Sequence, residues 1–364
     1  MRIGVLGGGQ LGRMMALAGY PLGLRLRFFD RAANAPAGQV AECFTGSFDD
    51  LDALARFANG LDLITYEFEN VPAGTARYLA EQVRRFFPPP RALEIAQDRY
   101  IQKSFFRETG VPTAAFSPVS TRAELESAVE AIGLPAVLKT RRWGYDGKGQ
   151  FVLRESADLD RAWQIMDGSP AILESFVHFS REVSVIAARS VSGQGAFYPL
   201  TENHHREGIL RLSLAPAPGL STELQQLAQS YAEKILTALD YAGALTLEMF
   251  EVDGKLLANE MATRVHNSGH WTIEGAETSQ FENHLRAITG LPLGSTEARG
   301  CSAMVNFIGS LPEAAPVLAI PGAHLHVYGK KARPGRKLGH ATLCLPDPQE
   351  LNARLEKLLH LADC

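Results

Sequence analysis

Short apolar runs alternate with amphipathic stretches through the first hundred residues. Residues 3–6 read as a buried strand, 7–12 as a glycine turn, and the stretch through about Ala18 as a helix. A second strand covers 24–29 and ends at Asp30; a third covers 61–65. Pro72 suits the first turn of a helix over 73–84. This alternation predicts βαβ units on a parallel sheet. Pro88-Pro89-Pro90 can continue neither a helix nor a central strand, and marks a seam.

Beyond the seam the pattern predicts one helix over 91–108, stopped by Gly110 and Pro112. Thr121-x-x-Glu124 is a capping box opening a helix to about Ile132. A strand at 135–139, a glycine-bearing turn at 144–150 and a returning strand at 151–153 make 113–177 a small α+β unit. From Glu182 the chain is strand-rich, with runs at 182–190, 196–200, 244–252 and 256–261 around a helix at 221–239. Strands near 301–308, 324–328 and 340–345 precede a last helix over 348–360.

At about 150 residues per domain, 364 residues predict two or three domains. Apolar residues at 46% and charged residues at 21% are ordinary globular usage and exclude disordered or collagen-like structure. A net charge of −4 argues against a broad cationic surface, so neither nucleic acid nor an anionic membrane is an expected partner. Cys43, Cys301, Cys344 and Cys364 form no CxxC pair, which predicts incidental thiols in a reducing compartment. No apolar run approaches a membrane span, and the N-terminus lacks the apolar core of a signal peptide. A soluble, cytoplasmic protein is expected.

Five stretches carry candidate chemistry. Gly7-x-Gly9-x-x-Gly12, with Asp30 closing the next strand, has the spacing of a dinucleotide fingerprint. Glycines let a backbone approach phosphate, and a helix N-terminus attracts it; a tight turn without ligand has the same spacing. Lys139 ends an apolar strand and precedes Gly144-Tyr145-Asp146-Gly147-Lys148-Gly149-Gln150. A cation followed by a glycine-bearing hairpin suits a flap over a polyphosphate. The spacing is not that of a P-loop, and an exposed hairpin is the alternative.

Glu248 and Glu260 stand on strands joined by a turn at Asp253-Gly254. A three-residue loop, 253–255, sets 252 opposite 256 and 248 opposite 260, with both carboxylates on one face of an apolar segment. Two unpaired anions there are costly, and Mg²⁺ relieves the cost while leaving positions for phosphate. A two-residue loop puts them on opposite faces, and the metal reading then fails; half-exposed sheet glutamates are the alternative. Residues 263–272, TRVHNSGHWT, concentrate hydrogen-bonding side chains at a density costly to order without a ligand. His266 and His270 are four apart, but Gly269 intervenes and the HExxH glutamate is missing, so no second metal site is expected. His270 suits a structural role as well as a catalytic one. Lys330, Lys331, Arg333, Arg336 and Lys337 fall within eight positions around Pro334-Gly335, as a local anion site or a solvated loop.

With these stretches in this order, the chain resembles the ATP-grasp superfamily, and within it the family of N5-carboxyaminoimidazole ribonucleotide synthetases. The likeness rests on GGQLGR at 8–13, TYEFENV at 65–71, GYDGKGQ at 144–150, Asn259-Glu260, RVHNSGHWT at 264–272 and RPGRKxGH at 333–340. The 264–272 stretch is the most specific of these. The family usually has proline before that arginine; here Thr263 stands there.

The resemblance implies an ATP-grasp fold, α/β and α+β in class. It has an N-terminal Rossmann-like parallel-sheet domain over 1–98 and an ATP-grasp domain over 99–298 with a small α+β lid at about 113–177. It also has a larger C-terminal antiparallel-sheet domain, and a C-terminal domain over 299–364 completes the substrate site. It implies a homodimer, Mg²⁺, and three substrates: ATP, bicarbonate and 5-aminoimidazole ribonucleotide. Bicarbonate attacks the γ-phosphate to give carboxyphosphate, and the nucleotide's exocyclic amine captures the carboxyl group. By the same resemblance, Arg99, Lys139, residues Gly144 to Gln150, the hinge Glu174-Ser175-Phe176-Val177, Glu182, His205, Asn259 and Glu260 hold ATP. Glu248 and Glu260 hold the metal. Arg264 and His266 orient bicarbonate, and Tyr145 and Asp146 close over the amine. Gln10, Leu11, Glu67, Asn267 and Ser268 place the ribonucleotide, leaving the first glycine turn a ribose phosphate as its ligand. Lys330, Arg336 and Lys337 clamp that phosphate. The rivals are a formate-dependent glycinamide ribonucleotide transformylase, a nicotinamide dehydrogenase built on the first 30 residues, and a non-catalytic nucleotide-binding module.

Overall fold

A computed structural model describes residues 1–144 and 149–362. Tyr145, Asp146, Gly147, Lys148 and Cys364 lie outside the described residues. Among the described residues the strands form three sheets.

The first sheet is parallel, in the order Glu42–Thr45, Arg25–Asp30, Arg2–Leu6, Leu63–Tyr66. Its central positions, among them Ile3, Val5, Phe28 and Leu63, are fully buried because helices cover both faces. Helix Gln10–Gly19 turns Leu11, Met14 and Met15 toward this sheet and toward Phe281 and Leu285 of helix Gln280–Thr289. That contact fixes the glycine turn against the middle of the chain. The strand Glu42–Thr45 and the helix Leu51–Ala58 carry too short a pattern to be read from the sequence.

The single helix expected over 91–108 is two, Pro90–Ala96 and Arg99–Glu108. Asp98 makes the break. Its side chain accepts hydrogen bonds from the amides of Tyr100 and Ile101 and starts the second helix. The small unit follows as an antiparallel sheet in the order Phe116–Val119, Ala171–Ser175, Ala136–Thr140, Gln150–Leu153. The capping box at Thr121 is present, opening helix Arg122–Ile132.

The third sheet has nine strands, ordered Lys255–Ala262, Gly243–Val252, Arg181–Arg189, Thr201–Arg206, Ile209–Ala215, Cys301–Ile308, Lys337–Leu345, Ala323–Val327; Gly195–Phe197 pairs separately with Arg181–Arg189. The run expected at 196–200 is therefore cut to Gly195–Phe197, and Thr201–Arg206 and Ile209–Ala215 are additions. Polar residues hide them: Thr201, Asn203 and Ser213 are buried where a strand pattern asks for apolar side chains. Helix Thr222–Ala238 covers the core of one half and helix Pro348–Ala362 the core of the other. Pairing of Ile209–Ala215 with Cys301–Ile308 carries the sheet across residue 299 without interruption. Among the described residues no helix is long and apolar enough to cross a membrane.

Candidate active site

The hairpin bearing Glu248 and Glu260 turns on two residues, not three. Val252 pairs with Lys255, and Asp253 and Gly254 both take positive φ, 49° and 72°. A regular ladder from that turn would send the two glutamates to opposite faces. A β-bulge prevents it. The register runs Met249 with Ala258 and then Glu248 with Glu260, so Asn259 is the extra residue. The carboxylates meet across the strands as expected, by a different device.

The pair is held from both sides. Arg99 Nη1 donates to Glu260 Oε2 at 2.8 Å, and its Nη2 donates to Gly144 O at 3.1 Å. His266 Nε2 lies 3.1 Å from Glu248 Oε1. Burial and the facing Glu260 raise the Glu248 carboxyl above its ordinary range. Burial acts on Glu260 too, but Arg99 outweighs it and holds that group below its ordinary range. Two facing carboxylates, one strained by the other's charge, fit a small hard dication. Among the described residues no cluster of three metal-ligating side chains exists, so the remaining positions fall to water and phosphate oxygens.

One cleft of about 810 Å³ connects the pair to the other stretches. Gln10, Leu11 and Glu67 line it from the N-terminal unit, and Arg99 and Gly144 from its near side. Arg264, His266 and Asn267 continue the wall beyond the glutamates, and Lys330, Arg336 and Lys337 close the far end. Burial and the nearby Arg336 push the Lys330 ammonium down to about 8, an environment that an anion relieves. The side-chain amide of Asn267 is buried with neither atom hydrogen-bonded, and it has bonding capacity for a ligand.

The dinucleotide spacing is satisfied internally. The Gly8 amide donates to Asp30 Oδ2 and the Gly9 amide to Glu67 Oε1, both at 2.7 Å. Two carboxylates already occupy the amides that a pyrophosphate needs, and they repel one. The ribose phosphate expected at this turn meets the same obstacle; the cations that suit it stand at residues 330–337. Asp30, the acidic residue of the fingerprint, is a cap for the turn.

Other expected residues lie outside the cleft lining. Lys139 Nζ donates to Glu174 Oε2 at 3.0 Å, and Glu174 is buried rather than open to a nucleotide. Ser175 and Phe176 are tied through their amides to Ala115 and Pro135, and Val177 follows half-buried. Glu182 Oε2 lies 2.9 Å from His205 Nδ1, and both bear on the charge of Glu248. Gly149 takes φ of 71° with Thr140 Oγ1 2.6 Å from where a Cβ would stand, and Gln150 pairs with Lys139. Ser268 is the departure: it is fully buried, does not line the cleft, and its hydroxyl bonds to Ser184 and His266.

Four residues escaped the sequence reading. Lys103 is buried one turn beyond Arg99, 3.3 Å from Glu174, and donates to Thr113 Oγ1 and Ala258 O. Its i+4 spacing from Arg99 was the available signal. Glu69 Oε2 accepts from Arg264 Nη2 at 2.7 Å, and Glu69 Oε1 accepts from the Thr263 amide at 3.0 Å. Tyr66 donates to the Thr263 hydroxyl at 3.1 Å. Proline at 263 could make neither bond; here they hold the arginine's backbone in its place. Asp98 accepts from Arg141 at 2.8 and 3.0 Å and from Arg142 at 3.2 Å, which ties the lid's hairpin to the helix of Arg99.

Comparisons with known proteins agree with this arrangement. The ribonucleotide synthetase preATP-grasp domain matches residues 1–97, the ATP-grasp domain 104–281, and the phosphoribosylaminoimidazole carboxylase C-terminal domain 302–354. The chain is 52% identical over 358 residues to the N5-carboxyaminoimidazole ribonucleotide synthase of Pseudomonas aeruginosa, covering 98% of each. The structure of the corresponding Thermus thermophilus synthetase superposes with a TM-score of 0.96 at 57% identity, covering 100% of this chain and 99% of that one. The Aspergillus clavatus synthase, solved with ADP and 5-aminoimidazole ribonucleotide, gives 0.93 at 35% identity, covering 100% and 98%. The chain belongs to the N5-carboxyaminoimidazole ribonucleotide synthase family of the ATP-grasp superfamily.

Proposed function

We propose that the chain carboxylates 5-aminoimidazole ribonucleotide at the expense of ATP, giving N5-carboxyaminoimidazole ribonucleotide, ADP and phosphate in purine biosynthesis. It is an ATP-dependent carbon–nitrogen ligase. A bicarbonate oxygen bonds to the γ-phosphorus as the bond to ADP breaks, forming carboxyphosphate. The exocyclic amine then bonds to the carboxyl carbon, directly or as released CO₂, phosphate leaves, and the amine gives up a proton. Glu248 and Glu260 would hold Mg²⁺, which would supply neutralisation of the charge on the ATP phosphates.

Arg99, Lys139, Gly144, Gly149, Gln150, residues 174–177, Glu182, His205 and Asn259 hold ATP, with Glu174 acting through its grip on Lys139. Arg264, fixed by Glu69, and His266 orient bicarbonate and donate to the oxygens of carboxyphosphate. Gln10, Leu11, Glu67 and Asn267 place the ribonucleotide, and Lys330, Arg336 and Lys337 hold its phosphate. The reading for Tyr145 and Asp146, at the amine, rests on the resemblance. The division at 98 and 298 gives ATP to the middle unit and has the last unit complete a ribonucleotide site that all three units share. A homodimer follows from the same resemblance, and sedimentation equilibrium tests it; the scattered cysteines suit a cytoplasmic location.

One observation carries this reading: a single cleft brings the glutamate pair, the arginine and histidine beyond it, and the basic cluster together. The test is ADP release with each substrate omitted in turn. Release is expected to need bicarbonate and the ribonucleotide together with MgATP. Formate substituting for bicarbonate would favour the transformylase, and a thermal shift with NAD(H) but none with MgATP would favour the dehydrogenase.

A further inference from the structure

Behind His266 runs a buried chain of polar side chains that the reaction itself does not touch. Ser213 Oγ donates to Asn203 Oδ1 at 2.8 Å, and Asn203 Nδ2 donates to Ser184 Oγ at 2.9 Å. Ser184 Oγ donates to Ser268 Oγ at 3.0 Å, which lies 2.9 Å from His266 Nδ1. Ser184, Ser213 and Ser268 are fully buried and Asn203 is 5% exposed. Ser184, Asn203 and Ser213 stand on adjacent strands of the large sheet, Arg181–Arg189, Thr201–Arg206 and Ile209–Ala215. Four buried polar side chains cost free energy unless each finds a partner. Alanine or valine would fill the same positions without that demand.

We infer that Ser184, Asn203 and Ser213 are positioning residues which, through Ser268, hold His266 with its proton on Nε2. This rests on the reading that His266 faces the carboxyphosphate. The polarity follows from counting protons. The Asn203 amide fills an acceptor position on Ser184, so the Ser184 proton goes to Ser268. Ser268, already accepting, turns its own proton to His266 Nδ1. The Ser268 backbone amide also points at Nδ1, at 3.3 Å. A backbone amide can only donate, so this longer contact adds to the hold that the Ser268 hydroxyl has on Nδ1 as an acceptor.

The consequence lies on the cleft side. With Nδ1 accepting, a neutral His266 carries its proton on Nε2, the atom 3.1 Å from Glu248 Oε1. His266 therefore meets an oxygen in the cleft as a donor and takes no proton from the amine. Donation to a developing oxyanion is what a carboxyphosphate-forming site needs, and a donor fixed beforehand spends nothing on reorientation.

The test is ¹⁵N NMR of histidine-labelled, metal-free protein, with the His266 resonances identified by their loss in His266→Gln. The native chain is expected to show Nε2 protonated and Nδ1 bare. Ser184→Ala frees Ser268 to accept, so a population protonated on Nδ1 is expected to appear, and Ser184→Thr, which keeps the hydroxyl, is expected to remove it. In the loaded enzyme, kcat is expected to fall about tenfold in Ser184→Ala at unchanged KM for ATP, and to return in Ser184→Thr. If Ser184→Ala does not fold, Ser213→Ala, two links further back, takes its place. The same tautomer in the alanine variant as in the native chain would overturn the inference. Full turnover by His266→Gln would instead overturn the role given to His266, leaving the tautomer result to stand or fall alone.

Discussion

At the scale of single residues, the carboxylates at the centre of the site each face a cation or a histidine. The Glu260 side chain is 42% open while Arg99 grips one oxygen. Glu260→Gln keeps the shape and one acceptor but loses the charge. Metal-dependent turnover is expected to fall by more than the roughly 10–100-fold typical of losing an outer partner of a metal ligand, with the melting temperature little changed. Equal rates in variant and native chain would remove the metal role. Glu174 gives a second expectation, in stability against pH. Burial opposes its charge, but Lys103 and Lys139 outweigh burial and hold it down to about 2. A carboxyl depressed on folding stabilises above its unfolded value near 4.5, and that contribution is lost as pH falls toward 2. The loss amounts to about 3 kcal/mol. Glu174→Gln is expected to lack this acid limb and to be less stable at neutral pH, because Lys103 is left buried and unpaired. Denaturant midpoints across that range check both. Glu248, Glu260 and Arg264 were legible in the sequence because charges in an otherwise apolar or short polar segment ask for a partner. Lys103, Glu69 and Ser184 were not, because each acts through a side chain far along the chain.

At the scale of elements, small backbone irregularities aim the chemistry. The turn at Asp253-Gly254 was legible, but its length was not, and the bulge at Asn259 that restores the glutamate pair leaves no mark in the alternation of side chains. The break between the helices Pro90–Ala96 and Arg99–Glu108 was hidden for a related reason. Nothing local distinguishes Asp98 from an exposed helix residue until Arg141 and Arg142 are seen to close on it. Asp98 does two jobs, capping the helix that presents Arg99 and pairing the arginines at the end of the lid strand. Asp98→Asn retains the cap and loses the pairing; Asp98→Ala loses both. The alanine variant is expected to be less stable than the asparagine variant by about 1 kcal/mol, the usual worth of such a cap. Both are expected to raise KM for ATP, since Arg141 is freed in each. Urea denaturation and initial rates separate the two effects, and equal stability of the two variants would show that the cap contributes nothing.

At the scale of the whole molecule, the parallel sheet and the small α+β unit were legible from periodicity, and the third sheet's unity was not. A boundary at residue 299 suits a reading of function, yet the strands on either side of it are hydrogen-bonded neighbours. Met304, after the boundary, packs in one cluster with Trp271 and Tyr198, before it. Sheets that share strands and core side chains unfold together. The basic cluster at residues 330–337 can then hold a fixed distance from the glutamate pair, as a cleft binding two nucleotides at once requires. Leu358 tests this from the far side. It is fully buried in the cluster beneath helix Pro348–Ala362, so Leu358→Ala is expected to cost about 2–5 kcal/mol. In a chain carrying Trp143→Phe and Trp163→Phe, fluorescence reports Trp271 alone. Its transition is expected to fall by the same number of degrees as the loss of helical signal. A Trp271 transition that stayed in place while the helical signal fell would mean that the last unit unfolds by itself, and that the cleft's far wall is hinged and not fixed.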